Sequence, residues 1–200
     1  MTRSRPARGL GLTTVPDLSP VSWTRGSAMR ASLLHRLDRR DRDLFLRWSL
    51  GSEGSRIRRR VWIGITALGS AVVTIAAVTL PLALEPWPRD VSIRAALALV
   101  ISHLVIQVAK RLIGRPRPST AHPGRAAIAN PDRFSFPSGH SASSLAVALA
   151  YATAFPALTL PLVTIGLLVG WSRVMLGVHY PGDVLAGQCI AALTVLALVL

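Results

Sequence analysis

The sequence predicts an all-α membrane protein, a polytopic bundle of about five transmembrane helices preceded by an N-terminal amphipathic helix. Half of the 200 residues are hydrophobic, and only 16% are charged, against about 25% in a typical soluble domain. The mean hydropathy is +0.44. The charges are also segregated, since the stretch 61–109 carries only Glu85, Arg89, Asp90 and Arg94. This pattern is typical of an integral membrane protein.

Two basic regions precede the hydrophobic part. Residues 1–30 contain Pro, Gly, Ser and Arg, which predicts a disordered segment, and they lack the apolar core of a cleavable signal peptide. Residues 31–60 are predicted to be a juxtamembrane region. Within it, 32–50 mixes Leu and Trp side chains with many charges, as in a helix lying on a membrane surface. A helix exposed to the cytosol fits the same pattern.

Residues 61–200 are predicted to form the membrane domain. The first two of its five hydrophobic segments exceed the roughly 20 residues needed to cross the hydrocarbon core, whereas the other three need flanking turns to extend them. Prolines lie at the boundaries, where they suit breaks and first helical turns. The segments are 61–84, 91–113, 141–155, 158–174 and 184–200.

The charge and cysteine content exclude some classes of function. The net charge is +14, and 14 of the 23 basic residues are arginines within the first 60 positions. No RNA- or DNA-reading motif accompanies them, so we expect no nucleic-acid partner. Arginines beside apolar spans instead contact anionic lipid or fix topology. The single cysteine, Cys189, allows neither a disulfide nor a cysteine metal cluster within one chain.

Polar residues cluster at four ends of the hydrophobic segments. If consecutive spans are antiparallel, the end of the second, the start of the third, the end of the fourth and the start of the fifth share one side of the membrane. A candidate site on that side contains Lys110, Arg117, Ser138, Gly139, His140, Arg173, His179 and Asp183.

The composition of this candidate site suits a dianionic phosphate. Arginine matches phosphate oxygens in a bidentate way, and the site holds Lys110, Arg117 and Arg173. The segment 138–140 begins a helix, whose first N–H groups are unpaired and bind anions. Contacts with lipid headgroups alone would explain the other basic residues of this region, Arg111, Arg115, Arg125 and Arg133. They would not explain Ser-Gly-His at a helix start.

Two histidines and an aspartate suggest phosphoryl transfer. His179 and Asp183 are four residues apart, so the carboxylate can orient the imidazole and leave its other nitrogen free to attack phosphorus. His140 would protonate the leaving oxygen. The alternative is a metal site of His140, His179 and Asp183, but the surrounding cations oppose a divalent ion. We therefore expect no metal and no cofactor.

Three stretches, "KRLIGRPRP", "PSGH" and "SRVMLGVHYPGD", fit the patterns K-x6-R-P, P-S-G-H and S-R-x5-H-x3-D in order. The chain thereby resembles the type-2 phosphatidic acid phosphatase superfamily. The resemblance implies a metal-independent lipid phosphatase that works through a phosphohistidine. It makes His179 the nucleophile, Asp183 its orienting partner and His140 the general acid and then base. It assigns phosphate binding to Lys110, Arg117, Ser138, Gly139 and Arg173.

The expected partners are the bilayer and a phosphorylated membrane lipid. The N-terminal arginines favour a cytoplasmic active site in the cell membrane, which suits a polyprenyl-phosphate-linked cell-wall precursor such as decaprenylphosphoryl-5-phosphoribose. An outward-facing site would suit undecaprenyl diphosphate, phosphatidate or phosphatidylglycerophosphate. A protein that only binds a phosphorylated lipid is a further alternative. The sequence indicates no oligomeric state.

Overall fold

The computed structural model describes residues 28–51, 55–84, 86–122, 124–129 and 132–200, and side chains from residue 38 onward. The predicted disordered segment 1–30 therefore lies outside the described residues, except for 28–30, which open the first helix. All contacts given below belong to the compact unit Leu37–Leu200.

The described residues form α-helices joined by turns and loops, which confirms the all-α prediction. Two 3₁₀ turns, Leu80–Ala83 and Pro156–Leu158, interrupt the regular helices. In chain order the helices are α1 (Ala28–Trp48), α2 (Arg56–Ala67), α3 (Ala71–Thr79), α4 (Arg89–Ile113), α5 (Pro118–Ala121), α6 (Gly139–Ala154), α7 (Thr159–Met175) and α8 (Pro181–Val199).

Each of the five hydrophobic segments is helical, but they differ as membrane spans. By length and composition, Arg89–Ile113, Pro156–Met175 and Pro181–Val199 can each cross a membrane, and α2 with α3 forms a fourth candidate bent by 42°. The remaining segment, α6, has 16 residues and is largely buried. It packs against α4, α7 and α8, so it forms the centre of the bundle.

The first hydrophobic segment, 61–84, is not one continuous helix. It breaks after α2, and Ser70 caps α3 by accepting a hydrogen bond at Oγ from the N–H of Val73, 3.4 Å away. At the break, a Cβ on Gly69 would overlap Cγ1 of Val169 and lie 3.2 Å from the carbonyl oxygen of His140. The absence of a side chain thus allows the chain to pass directly against the start of α6.

Small residues let α7 approach the central helix closely. A Cβ on Gly166 would lie 2.9 Å from Cδ1 of Leu145, and one on Gly170 would lie 2.9 Å from Oγ of Ser141. Close backbone approach through glycine is typical of membrane helix pairs. This contact fixes the polar end of α7 beside the N-terminus of α6.

The amphipathic helix α1 packs on the protein itself. It ends at Trp48, and its Phe45 is fully buried. The Phe45 ring lies 5.3 Å from that of Tyr180 and 5.8 Å from that of His122, centroid to centroid. The sequence left open whether this helix lies on the membrane or in the cytosol. Its described C-terminal half covers the loops beside the N-terminus of α8.

Candidate active site

Two glycines end the helices that carry basic site residues. Gly114 ends α4 with φ of 62°, and Gly177 follows α7 with φ of 74°. Both lie in the left-handed region that glycine enters at little cost. After Gly177 the chain presents His179, and Pro181 then opens α8 at a position where proline is favoured. The histidine is thus held between two helix ends.

Lys110 and Arg117 meet at one carboxylate, that of Asp132. Lys110 Nζ lies 2.6 Å from Asp132 Oδ2, and Arg117 Nη2 lies 2.6 Å from Oδ1. Arg117 Nε also donates to the Asp132 carbonyl oxygen at 2.9 Å. Both cations are buried, whereas the Asp132 side chain is 42% exposed. The sequence analysis missed Asp132, although it is the only acidic residue of the loop 114–137.

Arg117 also contacts the predicted nucleophile. Its Nη1 lies 3.1 Å from Nε2 of His179 and donates to the Val178 carbonyl oxygen at 2.9 Å. Burial lowers the pKa of His179 to about 4; Asp183 opposes this shift, and Arg173 and Arg117 add to it. The imidazole is therefore neutral at pH 7. Because a guanidinium only donates, we assign the lone pair to Nε2 and the proton to Nδ1.

Asp183 faces the other ring nitrogen of His179. Its Oδ2 lies 3.6 Å from Nδ1, slightly beyond hydrogen-bond length. That Oδ2 accepts a hydrogen bond from the N–H of Tyr180 at 2.9 Å, and Oδ1 accepts one from Arg115 Nη1 at 2.7 Å. The predicted pair is therefore assembled, and the carboxylate is fixed on both sides.

Arg173, in the last turn of α7, is buried. Its Nη1 donates to Thr66 Oγ1 at 2.8 Å, while its Nε has no partner. Thr66 was missed because a threonine inside an apolar segment carries no signal in the sequence. The contact joins α2 to the site.

Ser138 and His140 stand at the start of α6. The Ser138 N–H donates to the Asp183 carbonyl oxygen at 2.9 Å, which ties the start of α6 to α8, and the Ser138 hydroxyl is buried without a partner. Gly139 is the first helical residue and His140 the second; the latter is half-buried beside the break at Gly69. These residues lie at a helix N-terminus, which favours an anion.

Unpaired buried groups concentrate in this region. Buried polar atoms in folded proteins almost always have a hydrogen-bond partner. Among the described side chains, four buried atoms have none: Arg173 Nε, Ser138 Oγ, His179 Nδ1 and His122 Nε2. Three of the four belong to the predicted site. Of these, His179 Nδ1 faces Asp183, whereas a polar ligand could satisfy Arg173 Nε and Ser138 Oγ.

Two arginines that we assigned to lipid headgroups have other partners. Arg115 donates to Asp38, Asp41 and Asp183 at 2.7 Å each. Although burial disfavours its charge, Asp183 and Asp41 raise the pKa of Arg115 above its ordinary value. Arg125 donates to the Leu46 carbonyl oxygen at 3.2 Å and to Ser49 Oγ at 3.1 Å. The headgroup assignment was wrong for both, because both bind α1 and the turn after it. Arg111 and Arg133 are exposed.

A metal site, the alternative interpretation of the same residues, would need several ligand side chains close together. Within the part of the chain that the structure describes, no group of three or more His, Cys, Asp or Glu side chains converges. Instead, the cations Arg117 and Arg173 lie close to His140, His179 and Asp183. This arrangement suits an anion.

Comparison with known proteins points in the same direction. Residues 92–200 match the family model described as PAP2 superfamily. The chain is 38% identical over 99 residues to the lipid A 1-phosphatase of Rhizobium johnstonii, covering 47% of this chain and 41% of that protein. It is 35% identical over 132 residues to the decaprenylphosphoryl-5-phosphoribose phosphatase of Mycobacterium tuberculosis, covering 66% of each. It therefore spans between two fifths and two thirds of these relatives.

Two solved membrane proteins share the fold. A transmembrane PAP2-type phosphatidylglycerolphosphate phosphatase from Bacillus subtilis superposes with a TM-score of 0.70 at 26% identity, covering 85% of this chain and 89% of that one. LpxE of Aquifex aeolicus superposes with a TM-score of 0.67 at 20% identity, covering 78% and 92%. Together with the apolar helices, they indicate a multi-pass membrane protein.

Proposed function

Because the chain belongs to the PAP2 superfamily, we propose that it is a lipid phosphatase that hydrolyses a phosphate monoester or diphosphate through a phosphohistidine. One observation carries the proposal. The neutral His179 has its Nε2 3.1 Å from Arg117, in a buried cluster with Lys110 and Arg173. The proposed nucleophile is thus in contact with Arg117, one of the three cations proposed to bind phosphate.

In the first step of the proposed reaction, His179 Nε2 attacks phosphorus and the bond from phosphorus to the leaving lipid oxygen breaks. In the phosphate-free protein, burial and then the charge of Arg173 lower the pKa of His140 to about 3, so His140 takes up a proton together with the anionic substrate and gives it to that oxygen. The product is a phosphohistidine, and Asp183 stabilises the positive imidazole through the Nδ1 proton. In the second step His140 takes a proton from water, the water oxygen attacks phosphorus, and the bond from phosphorus to His179 Nε2 breaks, which releases inorganic phosphate and restores the neutral imidazole.

The phosphate oxygens have five proposed partners, namely Lys110, Arg117, Arg173, the Ser138 hydroxyl and the Gly139 N–H. Charge-assisted hydrogen bonds to phosphate are short and strong. The negative charge that develops on the equatorial oxygens is matched by groups already in place. The scheme requires no metal and no cofactor.

For the substrate we propose a polyprenyl-phosphate-linked cell-wall precursor. Support comes from the relative that acts on decaprenylphosphoryl-5-phosphoribose, whose match covers 66% of both chains. Other relatives are named for undecaprenyl diphosphate, at 39% identity over 93 residues, and for lipid A. Undecaprenyl diphosphate, phosphatidate and phosphatidylglycerophosphate are therefore the alternatives to test beside it.

We propose that the site faces the cytoplasm. The segment 37–60 carries eight of the N-terminal arginines, and α1 contacts the site loops directly through Arg115 and Phe45. Because of these contacts, we expect the arginines to lie on the same side of the membrane as the site, however many times the chain crosses it. Cytoplasmic flanks carry the excess of arginine in membrane proteins.

Cysteine labelling tests the sidedness. In a Cys189→Ala background, Asp43→Cys on exposed α1 should react with an impermeant maleimide only after the cells are permeabilised. Ala157→Cys, in the turn between α6 and α7 at the other end of the bundle, should react in intact cells. The reverse pattern would place the site outside.

Phosphate release tests the activity. The purified protein, His179→Ala and a control variant would be assayed with chelator present on the proposed substrate and its three alternatives. The control is His103→Ala, because His103 is an exposed histidine of α4 whose side chain contacts Gln107. Wild type and His103→Ala should release phosphate, and His179→Ala should release none. Release by His179→Ala would contradict the nucleophile. Binding of the lipids without release by wild type would indicate a binding protein instead.

A further inference from the structure

One arginine at a variable position of the first motif, Arg115, connects α1 to the predicted catalytic pair. Arg115 Nη1 lies 2.7 Å from both Asp41 Oδ2 and Asp183 Oδ1, and Nη2 lies 2.7 Å from Asp38 Oδ1. The side chains of Arg115, Asp41 and Asp183 are 18%, 13% and 0% exposed. The guanidinium also covers the Tyr180 ring, 4.2 Å from its centroid. This is a fixed, largely desolvated cluster rather than a surface ion pair.

Asp41 makes a second contact with the same helix end. Its Oδ1 accepts a hydrogen bond from the N–H of Gly182 at 2.7 Å. Gly182 lies in the first turn of α8, next to Asp183 in the chain. A Cβ on Gly182 would lie 2.9 Å from Asp41 Oδ2, so any side chain at position 182 would push the Asp41 carboxylate away. Asp41 therefore holds both the arginine that binds Asp183 and the backbone from which Asp183 projects.

From these contacts we infer that Asp41 and Arg115 are positioning residues for the reaction, and that α1 completes the support of the His179–Asp183 pair. The inference rests on the phosphatase activity proposed above. Asp183 has its Oδ1 on Arg115 and its Oδ2 towards His179. Without Asp41, only Asp38 on Nη2 would restrain the guanidinium, and Nη1, then bound to Asp183 alone, would be drawn to rotate towards it. That rotation would draw Oδ2 away from the imidazole.

The position of α1 does not depend on Asp41 alone. Phe45 is buried against Tyr180 and His122, and the N–H of Leu50 donates to the Met175 carbonyl oxygen at 3.0 Å. Asparagine has the shape of aspartate and can still accept from Gly182. The variant Asp41→Asn should therefore fold with α1 in place, so its kinetics report on the carboxylate charge.

The kinetic test compares Asp41→Asn, Arg115→Gln, the double variant and the control Asp43→Asn. Asp43 lies two residues from Asp41, on the opposite and exposed face of α1. Asp41→Asn should lower kcat about 10-fold with little change in KM, since a misplaced reacting group costs rate while the phosphate ligands are untouched. The kcat of the double variant should fall no further than the kcat of Arg115→Gln alone, because the two residues act as one unit. Asp43→Asn should match wild type.

A titration separates positioning from a merely structural role. His179 is faced by Asp183 on α8, Arg173 on α7, Arg117 after α4 and His140 on α6. Removing the negative charge of Asp41 should lower the pKa of His179, and removing the positive charge of Arg115 should raise it. The ¹⁵N shifts of labelled histidine, assigned with His179→Ala, measure both changes. A loss of packing would not move the two in opposite directions.

The kinetic and titration results together separate the positioning role of Asp41 and Arg115 from the proposed phosphatase activity. Opposite pKa shifts with a fall in kcat would support the positioning role. Unchanged kcat and pKa in Asp41→Asn would overturn it while leaving the phosphatase proposal intact. If wild type released no phosphate from any of the four lipids, the proposed activity would fail, and the titration alone would decide whether Asp41 and Arg115 position His179.

Discussion

Replacing Asp132 with asparagine should make the protein more sensitive to inorganic phosphate. Each carboxylate oxygen of Asp132 binds one of the buried cations Lys110 and Arg117 at 2.6 Å. Although burial acts to raise the pKa of Asp132, the two cations outweigh it and lower that pKa below its ordinary value. The carboxylate is therefore ionised at pH 7. A phosphate bound at the proposed site would share these two cations with Asp132, so the two anions would compete for them.

The size of the effect follows from these contacts. A hydrogen bond to a charged group contributes about 1.5–3 kcal/mol. Asp132 is 42% exposed, so solvent screens both ion pairs and each contributes at most about 1 kcal/mol. Asparagine keeps the carbonyl contact to Arg117 Nε and can still accept one side-chain hydrogen bond. A net change of about 1.4 kcal/mol corresponds to roughly tenfold tighter phosphate binding.

The assay is product inhibition. Formation of the dephosphorylated lipid would be followed chromatographically while inorganic phosphate is added. The inhibition constant for phosphate should fall about tenfold in Asp132→Asn. Asp90→Asn is the matched control, because Asp90 forms an exposed pair with Arg94 at the other end of α4. An unchanged or higher constant in Asp132→Asn would mean that Asp132 builds the phosphate site instead of competing for it.

Three further predictions concern contacts around the same site. Thr66→Val leaves Arg173 Nη1 without its acceptor, so the free energy of unfolding should fall by about 1–3 kcal/mol, the cost of an unsatisfied buried group; an unchanged melting temperature in detergent would contradict this. Gly69→Ala should lower the melting temperature and the activity, since its Cβ would overlap Val169, whereas Gly64→Ala, with open space around it, should cost nothing. The His179 imidazole of the phosphate-free protein should take up its proton near pH 4, where burial places its pKa, so neutral nucleophile persists well below pH 6.5; ¹⁵N titration at a value near 6.5 would refute the burial argument.

The sequence predicted the helices because length and apolar content determine which segments enter a membrane. It did not predict the break after α2, since Gly69 and Ser70 in an apolar run are compatible with a continuous helix. The break depends on Gly69 meeting Val169 and His140. Those contacts are tertiary and leave no local pattern.

The sequence likewise predicted which motif residues lie together in the candidate site, but not the residues that support them. Antiparallel spans brought the motif residues to one side, and Arg117, His179, Asp183 and Ser138 are indeed in direct or successive contact. The supporting residues were missed because their partners are distant in the chain. Arg115 and Asp41 are 74 residues apart, and Arg173 and Thr66 are 107 apart. A single sequence does not report such pairs.

The balance of charge connects the site to its proposed ligand. Lys110, Arg117 and Arg173 contribute three positive charges, and Asp132 removes one, which leaves two. Among the described residues Arg173 forms no salt bridge with a carboxylate, and its Nε is unpaired. A phosphate monoester carries nearly two negative charges at pH 7, so its entry would bring this half of the site close to neutral. The remaining charges, on Arg115, Asp38, Asp41 and Asp183, form a second group of ion pairs, which supports the proposed nucleophile. The first group of charges would thus bind phosphate and the second would support His179, which contacts Arg117 of the first group and faces Asp183 of the second.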